Sequence, residues 1–132
     1  MASLYPHPFR SNAKNAHGNG PAGEGPHHWI MQRLTALLLI PLGAWLAYSL
    51  ITQMVGAPLE EARLWVSDPA VGVALAVFIL AVCTHAAMGL QVVIEDYVQK
   101  KCTKFFLLVV IKLGYFVLAL IGLAAIVKLS FM

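Results

Sequence analysis

Three long apolar segments limit what this chain can fold into more than any other feature of its sequence. They cover residues 34–55, 70–94 and 105–127, and Lys112 is the only formally charged residue within them. Each segment exceeds the roughly 20 residues that an apolar helix needs to cross a ~30 Å hydrocarbon core. Lipid offers the backbone no hydrogen-bond partners, so such segments cross as helices. The sequence therefore predicts an all-α membrane protein with three transmembrane helices, at about residues 30–55, 69–96 and 104–130.

The rest of the sequence divides into a tail and two loops. Residues 1–26 are polar and rich in Gly, Pro, Asn and His, which predicts a flexible tail ahead of a membrane domain over residues 27–132. The first loop, residues 56–70, is polar, and Asp68 followed by Pro69 is typical of a helix N-cap and first helical position. The second loop is short, so we expect the second and third helices to be antiparallel neighbours.

Charge predicts the orientation and excludes one class of partner. Only 11% of the residues are charged, against about 25% in soluble domains, and the scattered basic residues form no groove for nucleic acid. Two basic residues, Arg63 and Lys128, fall on one side of the predicted membrane. Six fall on the other side, namely Arg10, Lys14, Arg33, Lys100, Lys101 and Lys104. The positive-inside rule then predicts a cytoplasmic N-terminus and a periplasmic C-terminus. We expect a bacterial inner membrane rather than a mitochondrial one, because no transit peptide is visible.

His85 is the only histidine within a predicted span, and it lies close to the middle of the membrane. One interpretation is a packing residue that hydrogen-bonds across two helices. The other is a cofactor ligand, because ionisable groups within membrane spans are usually functional. Gly89, four residues on, shares the helix face and leaves room for a flat macrocycle. Haem b is the cofactor that a membrane histidine typically ligates, and a bis-histidine site would take its second ligand from another chain.

Asp96 and Tyr97 stand at the cytoplasmic end of the same predicted helix. At about 100° per residue, the eleven steps from His85 bring Asp96 back to within roughly 20° of the same face. A charged helix end with an interfacial tyrosine is one explanation of this pair. A quinone site is the other, since a tyrosine hydroxyl donates to a carbonyl and a carboxylate relays protons.

The start of the first span carries His27, His28 and Arg33 in the stretch HHWIMQRLTALLL. Arg33 is either an arginine whose charge reaches the membrane surface or a partner for an anionic group such as a haem propionate. Sequence spacing leaves both interpretations open.

Two stretches together resemble the smaller membrane-anchor subunits of succinate dehydrogenase, the cytochrome b anchors of respiratory complex II. They are HHWIMQRLTALLL at residues 27–39 and HAAMGLQVVIEDYV at residues 85–98. The resemblance implies that His85 is an axial ligand of the haem b iron, with the second ligand from the larger anchor subunit. It also implies that Tyr97 hydrogen-bonds the carbonyl of ubiquinone and that Asp96 supports it. Arg33 matches an arginine near the haem propionates, and the histidine six residues before it is His27, with His28 as the alternative.

The resemblance implies partners as well as ligands. The expected partners are the larger cytochrome b anchor, an iron–sulfur subunit and a flavoprotein subunit, with membrane lipid around the spans. The chain alone would not oxidise succinate, because it has neither a flavin motif nor iron–sulfur cysteines. A fumarate-reducing anchor of the same family is one alternative. A haem-free structural subunit, with His85 and Asp96 on a proton path, is the other.

Overall fold

The structure is a computed structural model that describes residues 24–131. Residues 1–23, which are most of the predicted polar tail, lie outside the described residues. Four α-helices follow in order: α1 (Glu24–Ser49), α2 (Leu59–Ser67), α3 (Pro69–Tyr97) and α4 (Lys101–Phe131). The apolar stretches Pro26–Met54, Pro69–Tyr97 and Lys101–Phe131 are long enough to cross a membrane. No strand occurs within the described residues, and the prediction of an all-α protein with three spans is confirmed.

The first span, α1, carries two departures from regular helix. Pro41 lies inside it, where proline cannot donate the usual backbone hydrogen bond. Beyond Ser49 the chain continues as a π-helical stretch, Leu50–Met54. Gly56 then turns the chain with a φ of 80°, a left-handed conformation that glycine adopts without strain. The span thus ends in a sharp turn rather than running into the next element.

Helix α2 is the element that the sequence did not predict, because residues 56–70 looked like a polar loop. Glu60 and Glu61 lie in its first turn, where negative charge complements the helix dipole. Arg63 donates to Glu60 Oε1 at 3.1 Å, one helical turn away. The Trp65 ring stacks on Trp45 of α1 with centroids 5.9 Å apart, so α2 packs against the end of the first span.

The start of α3 follows the sequence prediction. Asp68 Oδ1 accepts hydrogen bonds from the backbone N–H of Ala70 at 2.8 Å and of Val71 at 3.3 Å. Pro69 occupies the first helical position. The predicted N-cap is confirmed, and it satisfies two of the donors that every helix start leaves free.

Helix α3 is the middle helix, with α1 on one side and α4 on the other. Helix α4 approaches closely at Gly122, where an added Cβ would lie 3.0 Å from Ile79 Cδ1. At the other end, Lys104 Nζ donates to the Glu95 carbonyl oxygen at 2.7 Å and caps the last turn of α3. The predicted neighbouring pair of second and third spans is thus observed, and the Gly122 contact and the Lys104 cap are two of its features.

Very little of the apolar surface is covered within the described part of the chain. Only 6–11% of the residues in the most apolar window of each span are buried. The buried apolar residues are Val66, Ala81, Ile94 and Ala119. The outward face of every span is apolar and exposed, as expected of a surface that lipid or another membrane chain covers.

Candidate functional site

His85 lies on α3 against the N-terminal half of α1, and each of its two ring nitrogens faces a different side chain. Nδ1 is 3.0 Å from Thr35 Oγ1. Nε2 is 3.4 Å from Gln32 Nε2. The ring is half-buried, and both contacts come from neutral side chains. The packing of α1 against α3 therefore fixes the position of this imidazole.

Thr35 is held by its own helix. It is 8% exposed, and its hydroxyl donates to the Met31 carbonyl oxygen at 2.9 Å, with the Gln32 carbonyl oxygen at 3.1 Å. Threonine in a helix commonly makes this hydrogen bond to the preceding turn. The bond fixes the oxygen that faces His85.

One face of α1 carries a line of polar side chains towards α3. His28, Gln32 and Thr35 are spaced at i, i+4 and i+7, which places them on one side of a helix. Within the described residues, His28 Nε2 and Gln32 Oε1 are buried atoms without a hydrogen-bond partner. Buried polar atoms in folded proteins are nearly always paired, so these two mark a place where a polar group would be stabilised.

Gly89 shares the face of His85, as the sequence predicted. A Cβ at this position would lie 3.7 Å from Gln32 Nε2, the side chain that also faces His85. This is an ordinary contact distance. Gly89 therefore lies against α1, but an alanine would also fit at this position. A bulky group that bonded His85 Nε2 would take the place of the Gln32 amide.

The structure does not bring His27 and Arg33 onto the face of His85. Both are exposed. The Arg33 guanidinium lies over the Trp29 ring, 5.1 Å from its centroid, in a cation–π contact. Arg33 is two residues from Thr35, or roughly 200° around the helix, so it projects away from α3. His28 is the histidine of this pair that lies on the face towards α3.

Asp96 and Tyr97 form the last turn of α3, about 16 Å along the helix from His85. Both are exposed, and Tyr97 keeps 83% of its surface. Helix α3 is unbroken from Pro69 to Tyr97, so the shared face of His85 and Asp96 follows from regular helix geometry. The hydroxyl and the carboxylate are both accessible at this end of the helix.

An apolar groove of about 580 Å³ opens between α1 and α3, beside the polar contacts of His85 with Gln32 and Thr35. Thr35 and Thr84 line it together with apolar side chains that include Leu38, Pro41 and Leu80. Sequence reasoning found neither this groove nor the role of Gln32. The one signal in the sequence was the occurrence of Gln32 and Thr35 one turn apart at the start of an otherwise apolar helix.

His85 is a single donor rather than part of a protein-only metal site. Within residues 24–131, no three His, Cys, Asp or Glu side chains converge to hold a metal ion. A haem iron needs only axial donors from protein, because the macrocycle supplies the other four nitrogens. The donor type at His85 therefore fits a haem.

The family match and the similar proteins indicate the same family. Residues 9–127 match the family described as "Succinate dehydrogenase/Fumarate reductase transmembrane subunit". A succinate dehydrogenase hydrophobic membrane anchor subunit of Rickettsia conorii is 31% identical over 106 residues, which is 80% of this chain and 83% of the relative. The corresponding subunit of Rickettsia bellii is also 31% identical over the same shares. That of Rickettsia felis is 33% identical over 67% of this chain and 73% of the relative.

The three apolar spans and the similarity to bacterial anchor subunits support a bacterial inner-membrane protein. The family match begins at residue 9 and reaches well into the third span, and the relatives match over most of their own length. The chain belongs to the succinate dehydrogenase/fumarate reductase family of transmembrane anchor subunits.

Proposed function

We propose that this chain is the smaller anchor of a succinate:quinone oxidoreductase, and that it contributes one haem b axial ligand and part of the quinone-reduction site. In this role it passes electrons from an iron–sulfur subunit to ubiquinone. The observation that carries the proposal is the environment of His85: a half-buried imidazole inside a span, whose two ring nitrogens face the neutral side chains of Thr35 and Gln32.

His85 Nε2 is the atom that would bond the haem iron. The Gln32 side chain beside it is long and rotatable, so it is able to move away when a larger group enters. His28 Nε2 and Gln32 Oε1, which are buried without a partner among the described residues, lie on the same face of α1 and would then find polar partners. Haem b, when bound, supplies a one-electron centre within the membrane.

The quinone part of the proposal concerns Tyr97 and Asp96. The exposed Tyr97 hydroxyl would donate a hydrogen bond to a quinone carbonyl at the end of α3. Asp96 would support that geometry and hold a proton nearby. Both residues lie at a helix end rather than inside the span, where protons from water are available.

The partners follow from the exposed surface and the family. A larger cytochrome b anchor would cover part of the apolar face of the spans and supply the second axial ligand. The iron–sulfur and flavoprotein subunits would dock on the side that carries Tyr97. We place this side, with the N-terminus, in the cytoplasm and the C-terminus in the periplasm, because the basic residues are concentrated there.

Two observations favour other functions of the same chain. The family description covers fumarate reductases, so the reaction in the opposite direction is an alternative. The contacts of His85 with Thr35 and Gln32 are also those of an interhelical packing histidine, as a haem-free anchor would have.

Isolation of the complex through an affinity tag on this chain tests the proposal. We expect a flavoprotein, an iron–sulfur protein and a second membrane chain to copurify, with a reducible b-type haem absorbance and quinone reduction by succinate. A complex with the two soluble subunits but without haem absorbance would contradict the haem role. Reduction of fumarate by a low-potential quinol, without the reverse reaction, would favour the alternative direction.

A further inference from the structure

The contact between Thr35 and His85 determines more than the position of the ring. An oxygen and a nitrogen 3.0 Å apart form a hydrogen bond, and only one of the two atoms supplies the proton. A neutral imidazole protonates one nitrogen and keeps a lone pair on the other. The direction of this one hydrogen bond therefore decides which nitrogen of His85 is free to bond a metal.

Thr35 has a single hydroxyl proton, and its own helix uses it. The Met31 carbonyl oxygen at 2.9 Å and the Gln32 carbonyl oxygen at 3.1 Å are both acceptors only, so the hydroxyl is the donor in these contacts. The Thr35 oxygen then presents a lone pair to Nδ1 of His85. This arrangement favours the tautomer in which Nδ1 carries the proton.

The orientation of the Gln32 side chain favours the same tautomer. Its amide nitrogen faces His85 Nε2 at 3.4 Å, and an amide N–H donates to a lone pair. Two side chains on α1, three residues apart, thus agree on an imidazole with a protonated Nδ1 and a free lone pair on Nε2. The reverse arrangement would need the Gln32 amide turned over and the Thr35 proton withdrawn from both carbonyl oxygens.

We propose that Thr35 is a positioning residue that fixes the tautomer of His85, so that Nε2 is ready to bond the haem iron before haem arrives. The inference rests on the proposed haem role of His85. A ligating histidine commonly donates its other ring N–H to an acceptor, which orients the ring and raises its basicity as a ligand. Here the acceptor is a side chain on a different span of the same chain.

The tautomer is measured on the full-length chain in detergent, with ¹⁵N-labelled histidine and without haem. The His85 signals are assigned by their absence from His85→Ala. In the wild type we expect a protonated Nδ1 and an unprotonated Nε2. In Thr35→Val the ratio of this tautomer to the Nε2-protonated one should be about five-fold smaller, as loss of one hydrogen bond implies. Thr35→Ser keeps the hydroxyl and should keep the tautomer. Thr84→Val is the matched control, because the Thr84 hydroxyl donates to the Leu80 carbonyl oxygen of its own helix.

The assembled complex gives a second readout. Thr35→Val should retain haem about ten- to a hundred-fold more weakly, as loss of a ligand-orienting partner typically does. Its haem should also have a higher midpoint potential, because a less basic imidazole stabilises the oxidised iron less. Thr35→Ser should restore both values.

A wild-type chain with a protonated Nε2 would overturn the inference, whether or not Thr35→Val folds. Equal haem retention and potential in Thr35→Val and wild type would overturn it as well. Failure of the proposed function looks different: His85→Ala would then keep its haem, whatever tautomer the haem-free chain shows.

Discussion

Thr35 Oγ1 of the first span lies 3.0 Å from Nδ1 of His85 in the second, across 50 positions of sequence. The site is therefore shared between two helices, and α1 is as much a part of it as α3. A change in the packing of these two spans would move His85 relative to Thr35 and Gln32.

His28 should matter more for haem binding than His27. His28 Nε2 is buried without a partner in the described part of the chain and lies on the face of Gln32 and Thr35, whereas His27 is exposed. We expect His28→Ala to lower haem retention several-fold and His27→Ala to leave it close to wild type. The haem content of the purified complexes measures this. A stronger effect of His27→Ala would favour the assignment that family spacing gives.

Tyr97→Phe should impair quinone reduction without affecting succinate oxidation. The change removes only the hydroxyl. Because Tyr97 is 83% exposed, we expect the fold to keep its stability. Loss of one hydrogen bond of about 1–1.5 kcal/mol to the quinone predicts a roughly five- to thirteen-fold lower kcat/KM for quinone. Succinate oxidation with a soluble electron acceptor is the control. Parallel loss in both assays would point to a defect in assembly instead.

Gly122→Ala should destabilise the packing of α4 on α3. Its Cβ would lie 3.0 Å from Ile79 Cδ1 and 3.1 Å from Ile79 Cγ2, so the helices must move or Ile79 must change rotamer. Overpacking of this kind costs about 1–3 kcal/mol. Gly114→Ala on the same helix is the matched control, because a Cβ there meets nothing within 4 Å. Unfolding of the full chain in mixed detergent micelles compares the two, and equal stability would argue against the close approach.

Asp68→Ala should loosen the first turn of α3. The carboxylate holds the backbone N–H groups of Ala70 and Val71, and loss of an N-cap typically costs about 0.5–2 kcal/mol. Hydrogen exchange at these two amides should become faster by a factor of roughly 2 to 30. Asp68→Asn retains an acceptor oxygen and should exchange almost as the wild type does. Unchanged exchange in Asp68→Ala would mean that the cap does not form in the membrane.

The spans and the N-cap of α3 are predictable from sequence because they depend on local chemistry. Apolar length fixes the three crossing helices, and an aspartate before a proline fixes the start of α3. Helix periodicity also places Gly89 and Asp96 on the face of His85. These features require no knowledge of which helices are neighbours.

The contacts across helices could not be predicted in the same way. Whether Gln32 or Arg33 faces His85 depends on how α1 is rotated against α3, and a span that is apolar on every side gives no periodic signal for its rotation. Helix α2 was missed because it packs against distant parts of the sequence, on α3 and α4 and through the stacking of Trp65 on Trp45. The haem and quinone roles themselves stay predictions that the sequence resemblance supplies.

The most direct test of the central claim is the optical spectrum of the purified complex carrying His85→Ala. We predict loss or strong perturbation of the b-type haem absorbance, while the soluble subunits still copurify and oxidise succinate. Cys83→Ala, a half-buried change two residues away on another face of α3, should leave the spectrum intact. A His85→Ala complex with the haem content and spectrum of the wild type would contradict the assignment of His85 as a ligand.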